Sequence, residues 1–508
     1  MSTSRKETTF MGNNETHHVM ILEHGITGNH KEMGYVAEAL RREYRESKNE
    51  KENTTLLVVS ATCNDHNSLD GIAFGGLRFA NEINEVLRGV VIKIIRDNQQ
   101  RECNALSVNQ TNGTSIALSI LGNSMGGLYA RYALKYINWK IHAHVGSTFM
   151  DVPVIPNVFV TTATPHLGLK NFTYWKVPRF MEPIAGWVMG QSGNDLFRRN
   201  TRSVKMKTVN KNNHNKTTPS KVQRSEQYNY NDIIEQLSFD VEFIAPLSKF
   251  RRRIAYANAF STDIAVTTAT AAFLTDDNNY DDDDRKCCLP VYSNDYNLQD
   301  SGDSRSSLLL EGDENESTRS IHLFVSKHSE EEGINNDDTS RNHQEGKDNT
   351  SVPEYSSVRF DTATTYCSLF GKIKKSSPSV SDMARNLDSL GWSKHFIDNR
   401  PHIPKLFKRP NYKKRESSMK KNLDIHEENN KTHTSCYSSG ELKRCLSGNG
   451  WDGNTLPFGH SFLIASTRDP VHKFLYKSAR PFVDQVIAKE VVEEMLQFVP
   501  RSDDDCLD

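Results

Sequence analysis

The stretch Ile116–Arg131, IALSILGNSMGGLYAR, leaves a chain few ways to fold. Its continuous apolar run suits a strand buried on both faces. Glycines at Gly122, Gly126 and Gly127 permit a turn too tight for side chains, and Leu128, Tyr132 and Tyr136 repeat beyond it at helical spacing. The spacing predicts strand, sharp turn and helix, with Ser124 at the turn. A serine hydroxyl is a poor nucleophile at neutral pH, so it needs exposure, a base and stabilisation of the oxyanion its attack creates. A strained Gly-x-Ser-x-Gly turn supplies the exposure, and the N-terminus of the next helix supplies free N–H groups. Ser124 is therefore a candidate nucleophile, and the Met125 N–H is the natural first oxyanion donor. The alternative is a glycine-rich turn whose serine only caps the helix.

Short apolar runs recur at Val19–Glu23, Leu56–Val59, Val158–Thr161, Ile254–Ala257 and Phe462–Ala465. Such runs suit strands of a parallel sheet covered by helices. Leu77, Ala80, Ile83, Leu87, Val90, Val91 and Ile94 repeat every three or four residues and read as one amphipathic helix. Strand alternating with helix predicts an α/β fold with a mostly parallel, doubly wound sheet.

Three stretches break the pattern. Residues 200–227 are polar and basic, 276–380 open on DDNNYDDDDR and stay acidic and serine-rich, and 401–454 are polar again. Such compositions bury too little apolar surface to offset the entropy of ordering them, so they read as disordered insertions. The DDNNYDDDDR run lacks the Gly and terminal Glu of a calcium loop, and a solvated acidic linker describes it better. What remains is about 300 residues, the size of one α/β domain. The expected organisation is a flexible N-terminus (1–16) and a single domain assembled from 17–275, 381–400 and 455–495. Eight cysteines without metal-type spacing indicate neither a zinc site nor a disulfide framework.

In a fold of this type the acid and then the base follow the serine in chain order, each beyond a strand. In RIAYANAFSTDIAV an apolar run ends and Asp263 lies in the loop beyond; Asp195, Asp232 and Asp240 are weaker rivals that read as surface or capping carboxylates. In PFGHSFLIAS, His460 follows a glycine and precedes the last apolar run, which makes it the candidate base. His166, in TTATPHLGLK, is expected to be structural, and His472 to be exposed. The second oxyanion donor is expected from EHGITGNHKEM, where Gly25 allows close approach, the Ile26 N–H points into the site and His24 supports the loop. No metal or cofactor is called for.

Together the stretches EHGITGNHKEM, NSLDGIAFGGLRFANEI, LGNSMGGLYARYAL, ATPHLGL, IAYANAFSTDIAV, MARNLDSLGW and FGHSFLIAS resemble, in order, the lipase-like putative serine esterase family of eukaryotes, a branch of the α/β-hydrolases. The resemblance implies an α/β-hydrolase fold and hydrolysis of lipid-like carboxylic esters by a Ser124–Asp263–His460 triad. The chain departs from the family at DIAVTT, which lacks the usual proline after the valine following the acid.

Substrate signals are weaker. Trp175, Phe180, Ile184, Trp187, Val188 and Met189 either line an acyl-chain pocket or pack a helix on the core. Pro404–Lys421 is basic with Leu406 and Phe407 among the charges; it reads as a solvated linker or as a contact with a membrane or lipid-droplet surface. A formal net charge of -1 gives no reason to expect nucleic acid. With no signal-peptide core and no run of about 20 apolar residues, the expected location is cytoplasmic, at most peripheral to membranes. The leading expectation is a serine esterase. A non-catalytic lipid-binding adaptor that keeps the fold, or an acyltransferase using the same triad, are the alternatives.

Overall fold

The computed structural model describes residues 15–48, 54–104, 114–170, 189–199, 230, 232–259, 263, 266–274, 320–327, 354–361, 379–399 and 459–498. The expected insertions at 200–227 and 401–454 lie outside the described residues. So do residues 1–14, the acidic run that opens 276–380, the basic segment Pro404–Lys421 and the apolar residues Trp175–Val188.

The strands are β1 (Thr16–Glu23), β2 (Thr54–Ser60), β3 (Ser115–Asn123), β4 (Lys140–Val145), β5 (Thr148–Thr162), β6 (Arg252–Asn258), β7 (Ser320–Lys327), β8 (Glu354–Asp361) and β9 (Ser393–Asp398). They form one sheet in the order β2-β1-β3-β5-β6-β9-β7-β8, of which seven strands run parallel. β8 is antiparallel on β7, and β4 is antiparallel on the first part of β5.

Both faces of the sheet are apolar, because helices cover both. Val19, Ile21, Ile116, Leu118 and Ile120 point to one side, and Met20, Leu22 and Leu121 to the other. The first side packs against α2 (Ile72–Asn104), α3 (Met125–Ala133) and the helices Ile233–Phe239, Val241–Ser248 and Val380–Asp388. In α2, Phe79, Ile83, Leu87, Val91 and Ile95 stand at four-residue intervals and are buried. Each contributes on the order of 1.5–3 kcal/mol of burial. The other side packs against α1 (Gly34–Ser47), through Val36 and Leu40, and against the helix Lys489–Leu496, through Val491, Val492 and Met495.

Two expectations need correction. The run Phe462–Ala465 is not a strand: Gly459–Phe462 is helical and the chain then turns, with Ala465 at φ 44°. All four residues are buried, so the apolar run reported burial correctly while being too short to separate helix from strand. The strand position belongs instead to β9, SKHFID, which every residue buries although its composition is mixed. Within 276–380, β7 and β8 extend the sheet; the period-two alternation of SIHLFVSK is hidden when composition is averaged over that stretch.

Candidate active site

Parallel strands deliver the loops at their carboxyl ends to one edge of the sheet. β3 runs fully buried to Asn123, and Ser124 follows at φ 54°, ψ −125° before α3 begins at Met125. A positive φ at a non-glycine residue is strained, here by about 1–3 kcal/mol, and persists because the surroundings impose it. The Ser124 N–H donates to the Thr162 carbonyl (2.7 Å), and the Gly127 N–H donates to the Ser124 carbonyl (3.1 Å). The Ser124 hydroxyl makes no capping bond to α3, so helix capping does not account for this serine. The glycines beside it are sterically required. A Cβ on Gly126 would lie 2.5 Å from the carbonyl oxygens of both Glu23 and His24, and Gly122 packs just as closely on Gly127.

The loop after β1 folds over this elbow. A Cβ on Gly25 would stand 2.8 Å from the Ser124 Cβ, so only glycine lets the loop approach so near. Gly25 and Gly28 close a turn through a 3.2 Å backbone bond with Ile26 and Thr27 at its top, Thr27 having φ 56°. Ile26 is half-buried, and Met125 is buried in the first turn of α3, where N–H groups have no intrahelical acceptor. The buried His24 donates from Nδ1 to the Gly25 carbonyl (2.8 Å), and its Nε2 stands 3.0 Å from Asp65.

Asp263, almost wholly buried, sits just past β6. Its Oδ2 lies 2.8 Å from the His460 Nδ1 and accepts from the Asn258 side chain (3.1 Å); its Oδ1 accepts from the Val266 N–H (3.1 Å). These bonds favour the ionised carboxylate. His460 lies on the short helix Gly459–Phe462 and is partly exposed. Burial alone would lower its pKa, but the charge and hydrogen bond of Asp263, with the more distant charge of Glu32, raise it above 6.5. The imidazole thus presents Nε2 away from a fixed carboxylate, on the sheet edge that carries Ser124.

The rival carboxylates have other partners. Asp232 and Asp240 cap the helices that follow them, and Asp195 accepts from the Ile72 N–H (2.8 Å) where α2 starts. His166 is buried, with its Nδ1 3.2 Å from Arg131 and its Nε2 3.1 Å from the Thr161 hydroxyl. His472 departs from the expected exposure: it is half-buried, with its Nδ1 2.7 Å from Asp469, the cap of helix Pro470–Leu475. Sequence reading missed Asp65 and Ser68, which hold the loop after β1, and Glu32, which is buried beside it. Asp65 follows the end of β2, and that position was its one legible signal.

Among the described residues no group of three or more His, Cys, Asp or Glu is arranged to hold a metal ion, and no helix is long and apolar enough to cross a membrane.

A mostly parallel sheet covered on both faces, with a strained serine between its third strand and the following helix, defines an α/β-hydrolase fold. The family model described as "Putative serine esterase (DUF676)" matches residues 13–273, and the chain belongs to that family. No curated protein matches it. Among solved structures it is similar to phospholipase PlaB from Legionella pneumophila in complex with thio-NAD, at 9% identity and a TM-score of 0.26, covering 68% of this chain and 50% of that one. A second structure of the same phospholipase gives 8% identity and a TM-score of 0.24, with the same coverage. The chain thus spans about half the length of that protein.

Proposed function

We propose that this protein is a serine esterase that hydrolyses carboxylic esters of lipid-like substrates through an acyl-enzyme on Ser124. One observation carries the reading: the strained, uncapped Ser124 shares a sheet edge with a histidine held by a buried aspartate at 2.8 Å. In the forward step Ser124 Oγ attacks the ester carbonyl carbon while His460 Nε2 takes its proton. The carbonyl oxygen becomes an oxyanion that accepts from the N–H groups of Ile26 and Met125. Collapse breaks the bond to the alcohol, which leaves with the proton from His460. Water then repeats the sequence on the acyl-enzyme, releasing the acid and restoring Ser124. Asp263 holds His460 in the tautomer with Nδ1–H and offsets the positive charge of the transient imidazolium. An alcohol in place of water turns the second half into acyl transfer.

The lipid-like character of the substrate rests on family membership and on the surface beyond His460. Val471 and Phe474 are 64% and 79% exposed on one short helix, and Lys473 and Lys477 stand exposed beside them. This combination favours contact with a membrane or lipid-droplet surface that carries anionic headgroups.

The first test is labelling of the purified protein with a fluorophosphonate, followed by assays on short and long acyl esters. Wild type is expected to label and turn over, and Ser124→Ala and His460→Ala to lose both, with kcat down by about 10⁴-fold or more. A well-folded wild type that does not label, yet binds lipid, would replace the esterase with a lipid-binding adaptor.

A further inference from the structure

An N–H group stabilises an oxyanion only if it is already aimed when the charge develops, so whatever fixes the loop carrying Ile26 contributes to the rate. That loop runs from His24 to His30, and its two ends meet on one side chain. Asp65 Oδ1 accepts from the His30 backbone N–H (2.9 Å) and stands 3.0 Å from His24 Nε2, while Asp65 Oδ2 is 2.6 Å from His30 Nδ1. The turn's apex is tied next to it: the Thr27 N–H donates to the Ser68 hydroxyl (2.7 Å). Asp65 is itself built into a tight turn after β2, its N–H donating to the Thr62 carbonyl (3.0 Å). Partial burial pushes its carboxyl up, yet the hydrogen bonds and charges of His30 and His24 outweigh this and hold it below the ordinary carboxylate value. It is thus a fixed anion at neutral pH. On the opposite flank the loop leads into a short turn, His30–Met33, which accepts the Thr467 hydroxyl at the Lys31 carbonyl (2.6 Å).

We propose that Asp65 is a positioning residue for the ester hydrolysis described above: it clamps His24 to His30 and thereby fixes the Ile26 N–H over Ser124 as an oxyanion donor. The assignment rests on that reading of Ser124. Its signature is a loss confined to the transition state, because a substrate's neutral carbonyl uses the donor far less than the oxyanion does.

The test uses the full chain, a water-soluble p-nitrophenyl butyrate assay, active sites counted by fluorophosphonate labelling to completion, and a trifluoromethyl ketone that forms a tetrahedral adduct. For Asp65→Ala, kcat per titrated site is expected to fall about 10- to 100-fold, below the 10²–10³ of a donor lost outright. KM should stay within about 3-fold, and affinity for the ketone should fall by the same factor as kcat/KM. Asp65→Asn, which still accepts from the His30 N–H, should recover most of the loss. If Asp65→Ala fails to fold, Ser68→Ala removes the tie at Thr27 and should give the same kcat-only pattern more mildly. An unchanged kcat per titrated site, or a rise in KM alone, would overturn the assignment. A wild type that neither labels nor turns over would sink the esterase reading and this one together, an outcome distinct from an active wild type with an indifferent Asp65.

Discussion

His166 and His460 are the same residue type near the same edge of one sheet, and their surroundings push them in opposite directions. His166 is sealed by Phe273 and Trp392, with ring centroids 5.3 and 5.4 Å away, and faces the Arg131 guanidinium. Burial and that positive charge drive its pKa well below 6.5 and keep it neutral. Burial lowers the pKa of His460, but the charge and hydrogen bond of Asp263, with the charge of Glu32, together outweigh it and raise the pKa above 6.5. The sign of the neighbour separates a packing histidine from a candidate base.

The comparison breaks most severely at Asp263. Asp263→Asn removes the main raising influence on His460 and the acceptor that fixes its tautomer. By analogy with the equivalent change in a Ser-His-Asp protease, kcat should fall on the order of 10⁴-fold. The sign of the pH effect follows from the role: the base must be neutral, so activity rises with pH through a folded pKa above 6.5, and losing Asp263 moves that limb to lower pH. A pH profile of kcat/KM checks this, and a limb that stays in place would detach His460 from Asp263.

Altering His166 should affect stability and spare catalysis. His166→Phe leaves Arg131 Nη1 short of a buried partner, with an expected loss of about 1–3 kcal/mol in chemical denaturation and kcat per titrated site unchanged. Linkage sharpens the contrast. A folded pKa below the unfolded one means that the unfolded chain binds the extra proton, so the contribution of His166 is lost as pH falls below about 6.5. His18, lowered to about 4 by burial and then by the charges of His17 and Lys48, adds to the same acid limb. His460 has the opposite linkage: its contribution is complete below the unfolded pKa and fades as pH rises through the folded one. In His166→Phe the fall in stability between about pH 6.5 and 5 should be shallower, by up to about 1.4 kcal/mol per pH unit.

The smallest change belongs to Glu32. Buried beside the loop after β1, with Arg468 Nη1 3.6 Å away, it adds the lesser of the two carboxylate influences on His460. Glu32→Gln should shift the kinetic limb to lower pH by less than Asp263→Asn does and change kcat only a few-fold. A larger shift than that of Asp263→Asn would reverse the ranking of the two carboxylates.

Much of the architecture was legible in the residues. The run from Ile116, the glycines at Gly122 and Gly126 and the stripe through α2 each record a local constraint: burial on two faces, a close approach, a 3.6-residue period. Other features were not. β9 carries Lys394 and His395 at buried positions, so no hydropathy pattern announced it, while Phe462–Ala465 looked like a strand and is the end of a short helix and the turn after it. Lys394 reaches Asp388 (2.9 Å) and lies over the Phe273 ring (4.3 Å), partners that exist only once the sheet is assembled.

The sequence by itself determined the elbow at Ser124, because a strained turn is specified by residues adjacent in the chain. It also determined that both sheet faces are covered, because apolar residues stand at consecutive positions along β1 and β3. Tertiary structure alone decided which charged groups meet the other histidines: the Asp65 carboxylate between His24 and His30, and the Arg131 guanidinium against His166. These pairings join residues far apart in the chain, and charge and hydrogen-bond geometry act over a few ångströms of space, whatever the distance in sequence.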